Sequence, residues 1–295
     1  MKEQERQKEV ASFPSKTGRE SIYYCRSLPS EGEEIDYHFL FLHDIFDYHS
    51  RYTFLQDHFL SLFEENLAFS WIDFKGHGLS SGTRGHVDNF DEYIDDLEAY
   101  LALVDNDSRL GEVPLIIVAQ GLGALVTIRH HQLNREREAH YLSGTVLINP
   151  LIKLKFQFPD WLSSVLTRLD YPLSHLKWPQ QFSGKDFLCH QRDIERYDSD
   201  PLVLDYLTLG AMKEIQRVAL EVSDAAYFFD FPSLFLLSER VELENPPWRD
   251  CWPDSMIQIR EKSKFLAEIL RIFLLNFYEG KLLSSLRMSI YFLLP

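Results

Sequence analysis

The sequence predicts an α/β fold in which a mostly parallel central sheet is covered by helices on both faces. Short apolar runs alternate along the chain with segments of helical period, which is the pattern of strands connected by helices. Each run is apolar at nearly every position, as in a sheet that is covered on both sides. Between Pro150 and about Ser223 this alternation breaks down, which indicates an inserted helical cap. We therefore expect 1–150 to form the first part of the core, 151–223 the cap, and 224–295 the second part of the core with a helical C-terminal tail.

The first part of the core is predicted from four apolar runs and two helical segments. The strands are 37–42, 68–73, 114–119 and 145–149, and the helices are 89–104 and 124–134. In the first helix, apolar residues such as Phe90, Ile94, Leu97 and Leu101 recur at intervals of three and four, with acidic residues on the other side.

Fewer elements are predicted after Pro150. They are a short helix at 160–169 in the cap, a strand at 232–237 and an apolar-faced helix at 265–277. The tail at 282–295 is rich in apolar residues that serines and an arginine interrupt. We interpret it as a helix that packs on the core or contacts a second copy or an active paralogue, with peripheral membrane contact as the alternative.

Composition excludes several classes of function. The formal net charge of −15 argues against a nucleic-acid partner, because phosphate binding needs a basic surface. Cys25, Cys189 and Cys251 are few and scattered, so they indicate neither a disulfide framework nor a CxxC metal site. We also expect no bound metal and no cofactor. The charged N-terminal segment does not resemble a signal peptide, and no run of 18 apolar residues occurs. These features predict a cytoplasmic protein without a transmembrane segment.

A series of motifs, in a fixed order, resembles the monoacylglycerol lipase and lysophospholipase branch of the α/β-hydrolase superfamily, which is related to the serine aminopeptidases. The motifs are His43-Asp44 with Arg51-Tyr52, Asp73 to Ser80 with its Gly76-His77-Gly78 centre, Ser81 to Val87, the Tyr93 and Asp96 pair, and Asp200-Pro201-Leu202. The resemblance covers roughly residues 20–275. It implies the α/β-hydrolase fold and descent from serine hydrolases of carboxylic esters.

The resemblance also identifies where the nucleophilic serine should stand, and Gly121 occupies that position. Members of the superfamily hold the serine on a sharp strand-to-helix turn between small residues. Ala119 and Gly123 keep the small flanks here, but Gly121 has no atom that could attack a carbonyl group. Glycine adopts a strained turn at little steric cost, so we expect the turn itself to persist. The backbone N–H groups of Ile45 and Leu122 correspond to the donors of the family's oxyanion hole.

The other members of the catalytic triad also depart from the family pattern. The family's histidine follows the last sheet strand, but no histidine follows His190, and the expected position falls near Asp254. An aspartate cannot supply the neutral-pH base and acid that this mechanism requires. Glu239 could occupy the position of the acid, although without a histidine to orient it would be an ordinary loop glutamate. The glycine of the family's His-Gly pair is replaced by Asp44, whose charge would oppose a developing oxyanion.

These residues define a predicted cleft. Its expected lining is His43, Asp44, Gln120 and the cap aromatics Phe156, Phe158 and Trp161. We expect His43 to be structural, and the cap aromatics to pack the cap or to cover an apolar channel. The leading hypothesis is a protein without serine-hydrolase activity that binds a lipid-like molecule or a protein partner. The alternatives are an active lysophospholipid or monoacylglycerol hydrolase with a nonstandard catalytic set, and a structural subunit that pairs through its tail.

Overall fold

The structure, a computed structural model, describes residues 6–63, 65–134, 142–152, 173–179, 183–187, 191–225, 231–238 and 288–293. Eight strands form one sheet in the order β1-β2-β4-β3-β5-β6-β9-β10. The strands are β1 (Gln7–Pro14), β2 (Ser21–Leu28), β3 (Tyr37–Leu42), β4 (Leu67–Ile72), β5 (Leu115–Gln120), β6 (Leu142–Ile148), β9 (Ser233–Ser238) and β10 (Met288–Leu293).

The five central strands, β4, β3, β5, β6 and β9, run parallel to one another. Side chains alternate between two cores along them: Leu40 and Leu42 of β3 point into one core, and Phe39 and Phe41 into the other. Both cores are covered by helices, so both sets are buried. The predicted mostly parallel sheet with two covered faces is thereby confirmed, and each central strand lies within three residues of its predicted bounds.

Helices of the described ranges pack on both faces of the sheet. The helices of the first core are α2 (Asp91–Asp105), α3 (Leu122–Leu133) and α6 (Leu209–Asp224), and the second core is covered by α1 (Leu55–Leu62). In the second core, Phe59 of α1 packs edge-on against Phe39, with ring centroids 4.8 Å apart. Aromatic pairs of this geometry add to the stabilisation from apolar burial.

The sheet is extended at one edge by a hairpin that the sequence analysis did not predict. Strands β1 and β2 pair antiparallel over eight residues each, and β2 pairs antiparallel with β4. Ile22 and Tyr24 of β2 are buried, whereas Val10 of β1 is exposed. The hairpin therefore covers the edge of β4. Its own side chains are only partly buried.

The C-terminal tail differs from its prediction. Residues 288–293 form strand β10, which pairs antiparallel with β9, rather than a helix. The segment contains Ile290, Tyr291 and Phe292, and β-branched and aromatic residues favour strands. The edge of β9 that faces away from β6 supplies backbone hydrogen-bond partners for this segment. The segment therefore forms a strand and not the predicted helix. The predicted helices at 160–169 and 265–277 lie outside the described residues.

The predicted cap is described in part. Its described elements are β7 (Lys177–Pro179), α4 (Gly184–Phe187), α5 (Gln191–Asp198), β8 (Tyr206–Thr208) and α6. Strands β7 and β8 pair antiparallel, and Thr208 begins α6 by accepting a hydrogen bond from the Ala211 N–H. Helix α6 packs against α3, where Arg129 donates to Glu221 at 2.7 Å. The predicted cap thus includes a helix of the main core. Among the described helices, none has the length and apolar character needed to cross a membrane.

Candidate active site

The turn between β5 and α3 has the strained backbone that the sequence analysis expects. Gly121 has φ +50° and ψ −107°, a conformation that is costly for residues with a side chain. Its N–H donates to the Ile148 carbonyl at 3.0 Å, and its carbonyl accepts from the Leu151 N–H at 3.1 Å. A Cβ at Gly123 would lie 2.7 Å from Leu42, so the helix approaches β3 as closely as a glycine allows. The turn therefore persists around a position that carries no nucleophile.

The space beside Gly121 is occupied by the Asp44 carboxylate. A Cβ built on Gly121 would lie 1.7 Å from Asp44 Oδ1 and 2.0 Å from Cγ, which no real contact allows. The volume in which a nucleophilic side chain would begin is thus filled by another residue. The substitution at 121 and the substitution at 44 are sterically coupled.

The same carboxylate oxygen is bound by the two predicted oxyanion donors. Asp44 Oδ1 accepts the N–H of Ile45 at 2.7 Å and the N–H of Leu122 at 3.0 Å. Both distances are those of good hydrogen bonds to a charged acceptor. The Gln120 side chain hydrogen-bonds the same carboxyl group. A substrate oxygen could reach these amides only by displacing Asp44.

Two opposing effects act on the Asp44 carboxyl group. Loss of hydration on burial raises its pKa, while the hydrogen bonds from Ile45 and Leu122 stabilise the charged form, and the net direction is upward. The residue keeps part of its surface exposed. The floor of the site therefore presents an acidic oxygen where the family presents N–H donors.

His43 has no nitrogen to spare as a base. Its Nδ1 lies 2.7 Å from the Asp44 carbonyl oxygen, which can only accept, so Nδ1 carries the proton. Its Nε2 accepts the N–H of Phe74 at 3.0 Å. Burial lowers the pKa of the ring, which keeps it neutral. His43 thus connects the loop after β3 to the loop after β4.

A buried histidine and aspartate pair, which the sequence analysis missed, supports the same loop. Asp73 accepts from the His49 N–H at 2.7 Å, from His49 Nδ1 at 2.8 Å and from the Leu79 N–H at 2.8 Å. Burial acts to raise the pKa of Asp73, but the hydrogen bond from His49 reverses the effect and the pKa is lowered. The signal available in the sequence was Asp73 itself, the first residue of its motif.

Asp47 lies close to Asp44, and its carboxyl group is paired with Arg51. Arg51 Nε forms an ion pair with Asp47 Oδ1 at 2.7 Å, and the Tyr52 hydroxyl donates a hydrogen bond to Asp47 Oδ2 at 3.2 Å. The guanidinium of Arg51 also stacks over the Tyr197 ring, 4.5 Å from its centroid. Burial raises the pKa of Asp47 to about 7, and the nearby charge of Asp44 adds to this effect against that of Arg51.

The other predicted site residues lie outside the described residues. These are Phe156, Phe158 and Trp161 of the cap, Glu239 at the acid position and Asp254 at the position of the absent histidine. The structure brings together His43, Asp44, Ile45, Gln120, Gly121 and Leu122 at the carboxyl ends of β3 and β5. No group of three or more potential metal ligands occurs in the described ranges.

Comparison with known proteins agrees with the fold. The sequence model of the family described as serine aminopeptidase, S33, matches residues 34–246. Phospholipase YtpA of Bacillus subtilis (strain 168) is 25% identical over 176 residues, which are 60% of this chain and 64% of YtpA. Monoglyceride lipase of Rattus norvegicus is 27% identical over 132 residues, 44% of this chain and 41% of the lipase. The chain thus covers less than two thirds of the length of each curated relative.

A solved structure extends this likeness to three dimensions. It is a soluble variant of monoglyceride lipase from Saccharomyces cerevisiae in complex with a substrate analog. It superposes with a TM-score of 0.60 and 16% identity, and the match covers 76% of this chain and 74% of the lipase. At this identity the likeness supports the α/β-hydrolase fold alone.

Proposed function

This chain belongs to the serine aminopeptidase S33 family of α/β-hydrolases, and we propose that it binds a lipid-like ligand without hydrolysing it. The observation that carries the proposal is the Asp44 carboxylate, which occupies both the side-chain volume at Gly121 and the acceptor position between two amides. Ester hydrolysis in this family needs a nucleophile in the side-chain volume at 121. It also needs room for the developing oxyanion at the acceptor position between the two amides. One side chain blocks both.

The ligand class is inferred from relatives and from the apolar flank of the site. The relatives named above are a phospholipase and monoglyceride lipases. Beside the turn, Leu151 and Ile152 are half-buried and pack on the first core. Leu151 is bound through its N–H to the Gly121 carbonyl, so this apolar surface adjoins the site. A molecule with an acyl or alkyl chain fits such a surface.

The absence of hydrolysis is tested with a fluorophosphonate probe and p-nitrophenyl esters. We expect no labelling and no turnover by the wild type, by Gly121→Ser, or by the double variant Asp44→Gly/Gly121→Ser. The double variant gives the serine its space, but the sequence offers no histidine at the position of the base. Labelling of one serine, with turnover lost when that serine is changed to alanine, would support the alternative of an active esterase with a nonstandard catalytic set.

The binding part is tested separately with a neutral ligand. We expect monooleoylglycerol, added below its aggregation limit, to raise the Tm of the wild-type protein and to be recovered intact. A neutral ligand tests the apolar surface without involving the charge of Asp44. An unchanged Tm over the accessible concentration range would contradict the proposed function.

A further inference from the structure

Next to Gly121 the site presents a carboxyl oxygen of Asp44 where an oxyanion hole presents free N–H donors. This reversal of polarity bears on which head group can bind. Two N–H groups that converge on one point form a cradle for an anion. Here Asp44 Oδ1 already lies at that point, 2.7 Å and 3.0 Å from the two nitrogen atoms. An incoming carboxylate or phosphate would find both donors taken by an oxygen that repels it whenever Asp44 is ionised.

Side-chain cations do not neutralise this carboxylate within the described residues. Arg51 is paired with Asp47 at 2.7 Å, and no Lys or Arg of the described ranges forms an ion pair with Asp44. His43 is neutral, because Nδ1 donates to a carbonyl and Nε2 accepts an N–H. The groups that bind Asp44 are therefore the two amides and the Gln120 side chain, none of which carries a full charge.

Asp44 also keeps the capacity to accept a ligand donor. An ionised carboxylate offers about four lone-pair directions, of which Ile45 and Leu122 take two and Gln120 takes one. Part of the residue remains exposed. Because two backbone amides fix the carboxylate, it loses little conformational freedom when it binds a ligand.

We propose that the site beside Gly121 selects apolar ligands that end in a primary ammonium group, which the ionised Asp44 binds, and discriminates against ligands that end in a carboxylate. This inference rests on the proposed function and assigns the head group of its ligand. The apolar chain of the ligand packs on the surface formed by Leu151 and Ile152. The ammonium group donates a charge-assisted hydrogen bond to the remaining acceptor position of Asp44.

The test uses three ligands with the same chain: octylammonium, 1-octanol and octanoate. Isothermal titration calorimetry with the purified full chain at pH 7.5 and 0.15 M NaCl is expected to give octylammonium at least 10-fold lower Kd than 1-octanol, with octanoate the weakest. Asp44→Asn keeps an oxygen for the two amides but removes the charge, and we expect it to abolish this preference. Asp205→Asn is the matched control, because it removes one exposed acid from the same acidic protein.

A measurement on the wild type makes the test independent of whether the variant folds. Raising NaCl to 1 M shortens the screening length to about 3 Å, so the preference for octylammonium over 1-octanol should fall several-fold. Equal Kd values for the three ligands, tightest binding of octanoate, or a preference that Asp44→Asn retains would overturn the inference. Binding of monooleoylglycerol alongside any of these results leaves the proposed function standing.

Discussion

The coupling between Gly121 and Asp44 can be measured as an interaction free energy. In Gly121→Ala, the new methyl group requires the Asp44 carboxylate to leave its position, since the Cβ would lie 1.7 Å from Oδ1. The displaced carboxylate loses two hydrogen bonds, each worth about 1.5–3 kcal/mol for a charged acceptor. The positive φ adds about 1–3 kcal/mol of backbone strain.

The double-mutant cycle separates these two contributions. In the Asp44→Gly background the same alanine meets no carboxylate, so only the strain remains. We therefore expect an interaction free energy of about 3 kcal/mol or more between the two substitutions, measured by urea denaturation with linear extrapolation. Gly18→Ala is the control for strain alone, because Gly18 has φ +67° and no atom within 4 Å of a built Cβ.

Additive effects of the two substitutions would contradict a contact between positions 44 and 121. Additivity within about 0.5 kcal/mol would mean that Asp44 does not occupy the volume beside Gly121 in solution. A cost for Gly121→Ala no larger than that for Gly18→Ala would lead to the same conclusion.

Two further predictions concern buried aspartates with opposite pH dependence. Burial raises the pKa of Asp96 to about 8, and its Oδ2 has no hydrogen-bond partner among the described residues. Ionisation of Asp96 therefore destabilises the fold, and the wild type loses stability as pH rises from about 4 to 8. Asp96→Asn should raise the free energy of unfolding at pH 7 by about 2–4 kcal/mol. This gain should shrink by about 1.4 kcal/mol for each pH unit between pH 7 and pH 5. An equal gain at pH 7 and pH 5 in urea denaturation would contradict the raised pKa of Asp96. Asp73 has a lowered pKa because of His49, so its contribution is present above about pH 4 and is lost as pH falls through the lowered value. Asp73→Asn should cost about 3 kcal/mol at pH 7, because two backbone N–H groups and the His49 ring lose a charged acceptor. Urea titrations at pH 3 should show a smaller cost, and a cost independent of pH would contradict the lowered pKa of Asp73.

Much of the fold could be predicted because the central strands carry a strong local signal. Strands such as 37–42 and 114–119 are buried on both faces, so their sequences are apolar throughout and bounded by turn residues. The hairpin β1–β2 carries a weaker signal, because one of its strands is largely exposed and its residues mix polar and apolar types. Strand β10 depends on pairing with β9, which is remote in sequence and leaves no local pattern.

The site was predictable as a set of positions but not as a packing arrangement. Gly121 and Asp44 were both identified as departures from the family pattern. Their contact was not predicted, because they are separated by 76 intervening residues and meet only where β3 and β5 end side by side. The available clue was a loss of volume at one position and a gain at the other. His49 was missed for a related reason, since its partner Asp73 lies on a different strand end.

The shared volume at 44 and 121 sets the order in which the site could be re-engineered. A side chain at 121 and the present position of the Asp44 carboxylate exclude each other, so a serine placed at 121 first has to displace that carboxylate from the two amides. Replacing Asp44 by glycine instead frees the side-chain volume and both amides in a single step. Any redesign toward ester chemistry therefore begins at position 44 rather than at position 121.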